Sequence, residues 1–199
     1  MRIIVGMSGA SGAILGIRML EALQRVEDCE THLVISESAE QTIRLETGYS
    51  VEAVKGLADV LHDIRDMGAT IASGSFKTDG MIVAPCSMKT LSAVAAGFSY
   101  NLLVRAVDVC LKERRKVVLL PREMPFNAIH LRNLQVADQS GCLIMPPMLT
   151  FYNHPATIDD MVDHVIGKTL MQFGVDFQPF KAWEGTEAAQ QMPPERVEA

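Results

Sequence analysis

Three short stretches of the chain carry side chains that suit phosphate and proton chemistry. In Gly6-Met7-Ser8-Gly9-Ala10-Ser11-Gly12-Ala13 no side chain except Met7 exceeds a hydroxymethyl. Such a run lets a phosphate approach the first unpaired N–H groups of a helix, and Ser8 and Ser11 add hydroxyl donors. Cys86-Ser87-Met88-Lys89-Thr90 is a second hydroxyl-bearing turn. Ser87 reads equally well as a plain helix cap there, whereas Lys89 in a first turn opposes the helix dipole unless an anion is bound. Pro121-Arg122-Glu123-Met124-Pro125 sets a cation beside an anion between prolines. Arg105, Lys112, Arg114, Arg115 and Lys116 form the most basic stretch of a chain with 18 Lys and Arg against 24 Asp and Glu. A solvated helix face accounts for most such runs; a phosphate site is the competing reading.

Spacing excludes several chemistries. Gly6, Gly9 and Gly12 give G-x-x-G-x-x-G, which is neither the dinucleotide fingerprint nor a P-loop, since no Gly-Lys-Ser/Thr stands near. A mononucleotide-type phosphate site remains. His32, His62, His130, His154 and His164 lack ligand spacing with one another, so no metal is expected, and no G-x-S-x-G elbow is present. Cys29, Cys86, Cys110 and Cys142 are scattered among apolar runs and read as buried free thiols of a reducing cytoplasm. The net charge of −6 argues against nucleic acid as a partner. No apolar run is long enough to span a membrane, and the amino terminus reads as a core strand rather than a signal peptide.

The elements that must position these residues alternate strand and helix. Strands are predicted at Arg2–Val5, Thr31–Ile35, Met81–Ala84, Lys116–Leu120 and Gly141–Met145. Between them, helices are predicted from Ile14 to near Val26-Glu27-Asp28, over Ala39–Leu45, Val51–Leu57, a segment opening at Cys86–Thr90 and running to Ala96, Asn101–Glu113, and Phe126–Ser140. Ser36 stands where the second strand hands over to its helix, as a cap or at a ligand. Glu46 ends that helix, and a lone glutamate there is usually solvated. Residues 50–79 are the least regular. Thr157 caps a last helix with Asp159 and Asp160 in its first turn and Ile158, Met161, Val162, Val165, Ile166, Leu170 and Phe173 on its buried face. This alternation predicts an α/β domain: one doubly wound, three-layer parallel sheet of flavodoxin or Rossmann type, over residues 1–185, followed by a mobile polar tail, 186–199. Open sheets of this kind bind ligands at the strands' carboxyl ends, where Arg122 and Glu123 fall.

The stretches Gly6–Ala13, Pro85-Cys86-Ser87-Met88-Lys89-Thr90-Leu91, Ala106–Arg115, Pro121–Pro125 and Phe151-Tyr152-Asn153-His154-Pro155 resemble, in order and from residue 2 to about 185, the UbiX family of flavin prenyltransferases, also called phenylacrylic acid decarboxylases. The resemblance implies an enzyme that joins a dimethylallyl group, from dimethylallyl phosphate or diphosphate, to N5 and C6 of reduced FMN without a metal. The product would pass to a separate UbiD-type decarboxylase. By the same resemblance Gly9, Ala10, Ser11, Ser36, Ser87, Met88, Lys89, Thr90 and Arg122 hold FMN. Arg105, Lys112, Tyr152 and Lys168 hold the donor phosphate, some reaching in from neighbouring subunits of a homo-oligomer, often a dodecamer. Ser11, Glu46 and Glu123 manage protons.

Two departures stand out. Lys168 replaces the arginine of many relatives, and residues 66–75 hold no aromatic where some relatives place a tryptophan, leaving Trp183 as a substitute. Rival readings are a stand-alone FMN-dependent decarboxylase of the cysteine-decarboxylase group and a non-catalytic flavin carrier. The first group carries Pro-x-Met-Asn after the fifth strand, where this chain has Pro147-Met148-Leu149-Thr150. A carrier has no use for converging Arg105, Lys112, Arg122 and Lys168.

Overall fold

The computed structural model describes residues 1–180, 182, 183, 185 and 186, in two compact units, Met1–Pro147 and Met148–Ala199. Except for Thr186, the expected tail lies outside the described residues.

The first unit is built on six strands: β1 (Arg2–Met7), β2 (Glu30–Ile35), β3 (Val60–His62), β4 (Gly80–Cys86), β5 (Lys116–Pro121) and β6 (Cys142–Ile144). Their order is β3-β2-β1-β4-β5-β6 and every pairing is parallel. Sheets of this kind are covered on both faces, so their strands read as continuous apolar runs. Ile3, Ile4 and Val5 are accordingly at most 1% exposed. The order reverses between β1 and β4, which places a crevice beyond the carboxyl ends of these two strands. The helices are α1 (Ala13–Leu23), α2 (Glu37–Glu46), α3 (Val51–Lys55), α4 (Met88–Ala95), α5 (Leu102–Lys112) and α6 (Ala128–Gln139). Gly16 lets α1 lie directly on the sheet: a Cβ there would stand 2.4 Å from the Ala84 carbonyl oxygen.

The doubly wound sheet is as expected, with one strand more. β3 is a three-residue edge strand in the segment 50–79, too short and too exposed to show a period. α6 begins two residues after Phe126 because the Asn127 side chain accepts the His130 N–H at 2.9 Å and so caps the helix. α1 stops at Leu23, short of Val26. All four cysteines are free thiols, and burial pushes Cys142 up to about 12.

The second unit is organised by α7 (Ile158–Leu170). Thr157 and Asp160 cap it reciprocally: the Thr157 hydroxyl accepts the Asp160 N–H at 3.2 Å, and the Asp160 carboxylate accepts the Thr157 N–H at 2.9 Å. Val162, His164, Val165, Ile166 and Leu170 are buried, whereas Ile158, expected inside, is 80% exposed because it sits in the first turn ahead of the packed stripe. Phe173 lies beyond the helix, in a 3-10 turn, Met171–Phe173, and is only partly buried. Among the described residues no helix is long and apolar enough to cross a membrane.

Candidate functional site

At the switch point between β1 and β4, Ser8, Gly9, Ser36, Ser38, Ser87, Lys89, Thr90, Tyr100 and Asn101 line a cleft of about 290 Å³. Three helices start at its rim. Ser36 caps α2 by accepting the Ala39 N–H at 3.1 Å, Ser87 caps α4 through Thr90 at 3.3 Å, and Asn101 caps α5 through Val104 at 3.0 Å. Each start carries a partial positive charge on its further unpaired N–H groups, offset at α2 by Glu37, which also lines the cleft. No acidic residue stands in the first turn of α4. Lys89 stands there instead, its ammonium 5.0 Å from the centre of the Tyr100 ring. A helix start that carries a cation suits an anion of the size of one phosphate. Thus Gly9, Ser36, Ser87, Lys89 and Thr90 are brought together as the sequence reading expected. Met88 is half-buried and packs against the core beneath.

The two hydroxyls of the first turn have separate duties. Ser8, 2% exposed, donates to the Pro85 carbonyl oxygen at 2.9 Å and accepts the Ser87 N–H at 2.8 Å. It ties the turn after β1 to the turn after β4, so it is not available to a ligand. The start of α1 is also taken. Gly12, with φ of +99°, has no side chain to cap the helix, and Glu46 accepts the Gly12 N–H at 2.8 Å and the Ala13 N–H at 3.2 Å. The approach of a phosphate to these amides, expected from the glycine pattern, is therefore occupied by a carboxylate of the same chain. Burial pushes the Glu46 carboxyl up, but hydrogen bonds from Gly12, the Ser11 hydroxyl and Ala13, with the charge of Arg122, outweigh it and hold it below its ordinary value. Ser11, Glu46 and Arg122 thus belong to one electrostatic group. Ala10 is buried beside it, its N–H donating to the Ser8 carbonyl oxygen at 2.9 Å.

Arg122 follows β5, its backbone N–H donating to the Cys86 carbonyl oxygen at 3.1 Å, with an exposed side chain. Glu123, also exposed, accepts the N–H of Met124 at 2.9 Å. Arg105 and Lys112 are two turns apart on α5 and do not line the cleft. Arg105 donates to the Ala72 carbonyl oxygen at 3.2 Å and pairs with Asp108 at 2.6 Å; Lys112 pairs with Glu113. Arg115 is structural, donating to the carbonyl oxygens of Phe76 at 2.8 Å and Gly74 at 2.6 Å. In the second unit Tyr152 is 41% exposed, with its hydroxyl 3.4 Å from Nε2 of His164, and Lys168 is exposed one turn beyond His164. The Trp183 ring stands edge-on to Tyr152 at 5.6 Å.

The Glu46 cap, the Ser8 tie and the Lys89–Tyr100 contact escaped the sequence reading. Only the first left a signal: a helix start at Gly12-Ala13 with no capping side chain of its own. A larger depression of about 930 Å³ opens at the amino ends of the strands, but its Arg2, Glu30, Asp59 and Asp79 are engaged with one another or with backbone. It also lies at the end of the sheet where doubly wound folds do not place ligands. Among the described residues no group of His, Cys, Asp and Glu is arranged to hold a metal ion.

The flavoprotein family model matches residues 1–170. The flavin prenyltransferase UbiX of Thauera aromatica is 57% identical over 187 residues, covering 94% of this chain and 96% of the relative. A crystal structure of a UbiX protein in complex with FMN and dimethylallyl pyrophosphate superposes with a TM-score of 0.91 at 49% identity, covering 93% of this chain and 98% of the other. A dodecameric FMN-dependent UbiX-like decarboxylase from Escherichia coli O157:H7 also superposes at 0.91, with 53% identity over 93% of this chain and 100% of that one.

Proposed function

The chain belongs to the flavoprotein family and, within it, to the UbiX-like flavin prenyltransferases, and from that premise we propose how its own residues carry the reaction. The protein joins a dimethylallyl group, taken from dimethylallyl phosphate or diphosphate, to N5 and C6 of reduced FMN. The observation that carries the reading is the switch-point cleft, whose hydroxyls and helix starts fit one phosphate, while Glu46 closes the α1 start to a second. That arrangement suits a mononucleotide.

FMN in its reduced form supplies the electron-rich nitrogen and carbon that receive the prenyl group. Ser36, Ser87, Lys89 and Thr90 bind its phosphate; Gly9, Ala10, Ser11, Met88 and Arg122 hold the remainder. Arg105, Lys112, Tyr152 and Lys168 clamp the phosphate of the donor, with subunits of a homo-oligomer contributing to one another's sites. Preorganised cations lower the barrier to breaking the allylic C–O bond because they stabilise the charge that develops on the departing phosphate. Orientation of the two reactants supplies much of the rest. The Ser11 hydroxyl, hydrogen-bonded to Glu46, would act as a relay that takes up a proton at its oxygen as it hands its own to that carboxylate, and Glu123 would give a proton to the departing phosphate. The chain works in the cytoplasm, without a metal, and passes its product to a UbiD-type decarboxylase.

Anaerobic incubation with reduced FMN and dimethylallyl phosphate should release inorganic phosphate, and oxidised FMN should release none. Equal release with both, or with neither, would count against the reading.

A further inference from the structure

His164 lies on α7 at 7% exposure, pressed between the Tyr152 ring, edge-on at 5.4 Å, and the Phe180 ring at 5.1 Å. Phe180 can reach it because Gly167 leaves room: a Cβ there would stand 2.2 Å from that of Phe180. The imidazole is therefore held rigidly. Its Nε2 stands 3.4 Å from the Tyr152 hydroxyl, and its Nδ1 is buried with no partner among the described residues. Burial, then the charge of Lys168 one turn away, holds His164 below its ordinary value, so the ring is neutral at neutral pH. A neutral ring has two tautomers. With the proton on Nδ1, a buried N–H would be left without an acceptor, which proteins rarely tolerate; with the proton on Nε2, only a lone pair is left bare.

We propose that His164 is a positioning residue for Tyr152: it donates Nε2–H to the phenol oxygen and so leaves the Tyr152 O–H to be donated to an oxygen of the donor's phosphate. The proposal rests on the reading of Tyr152 as a donor-binding residue. Hydrogen bonds in series polarise one another, so a phenol that accepts from His164 is a stronger donor to an anion. Tyr152 then adds an oriented hydroxyl to the point charge of Lys168.

Two measurements decide it. Nitrogen NMR of the full chain labelled in histidine should show His164 as the Nε2–H tautomer at neutral pH; the Nδ1–H tautomer would overturn the proposal. The second measurement is the apparent KM for dimethylallyl phosphate in three variants. Tyr152→Phe and His164→Asn should each raise it about fivefold, the worth of one net hydrogen bond, with FMN affinity unchanged. His164→Gln, whose amide reaches the place of Nε2, should stay near wild type, and Tyr152→Phe with His164→Asn should be no worse than either alone. If Tyr152→Phe leaves KM unchanged, the donor-binding reading fails and the proposal with it. If Tyr152→Phe raises KM while His164→Asn does not, only the role of His164 fails.

Discussion

A carboxylate that caps a helix from another element is sensitive to its own proton. Glu46 is held below its ordinary value, so it stabilises the fold at any pH above the unfolded value and loses that contribution as pH falls through the folded one. Glu46→Gln should therefore lower stability at neutral pH by about 1 kcal/mol, the usual worth of a cap, and the difference from wild type should vanish in acid. Thermal melts of both proteins between neutral and acid pH check this; a constant difference would contradict it. Arg122 and Glu123 keep different company although adjacent, since the Arg122 charge acts on Glu46 while Glu123 accepts the Met124 N–H. Arg122→Ala should weaken FMN binding by about 1.5–3 kcal/mol, as for a hydrogen bond to a charged group. Glu123→Gln should leave binding intact and slow transfer, and fluorescence titration beside a rate assay separates the two. Arg122, Glu123 and the serine caps were legible from their places beside strand ends. Glu46 was not, because its partners are 33 and 34 residues away and nothing local marks them.

Among the elements, the strands of the sheet's centre were legible because parallel strands buried on both faces are unbroken apolar runs. β3 was not. It is held to β2 by register and by a side-chain chain in which Glu30 meets His32 Nε2 at 2.8 Å and His32 Nδ1 meets His62 Nε2 at 2.8 Å. No sequence period encodes such a contact. Burial, then the neighbouring His32, holds His62 below its ordinary value. For a base with a depressed folded value, the unfolded chain takes the proton first. The contribution of His62 to stability is thus full above about pH 6.5 and is lost as pH falls below it. Protection factors of the amides of β3 and the adjoining part of β2, which correct for the intrinsic slowing of exchange in acid, should fall between about pH 7.5 and pH 5.5, and His62→Gln should flatten that dependence. An unchanged exchange ratio in the variant would remove His62 from the account. The Ser8 tie belongs to the same scale, since it couples the ends of β1 and β4.

At the scale of the molecule, the first unit holds the proposed flavin cleft, and the second unit carries Lys168 on α7 and Tyr152 in the stretch ahead of it. In the proposed donor site Lys168 would offer one compact charge where many relatives are expected to offer a bidentate fork, and the leaving phosphate would be oriented less tightly. Lys168→Ala should raise the apparent KM for the donor at least tenfold, about 1.4 kcal/mol, without altering FMN affinity, and Lys168→Arg should match or exceed wild type. Unaltered donor kinetics in Lys168→Ala would return the residue to a solvated face. Arg105 and Lys112 lie off the cleft of their own chain, and their proposed role at the donor rests on family resemblance, since no local pattern marks it. The proposed prenyl transfer is tested most directly by the mass of the flavin recovered after reduced FMN and dimethylallyl phosphate are incubated with the protein. A flavin heavier by one C5H8 unit is the expected result, and recovery of unmodified FMN alone would contradict the account.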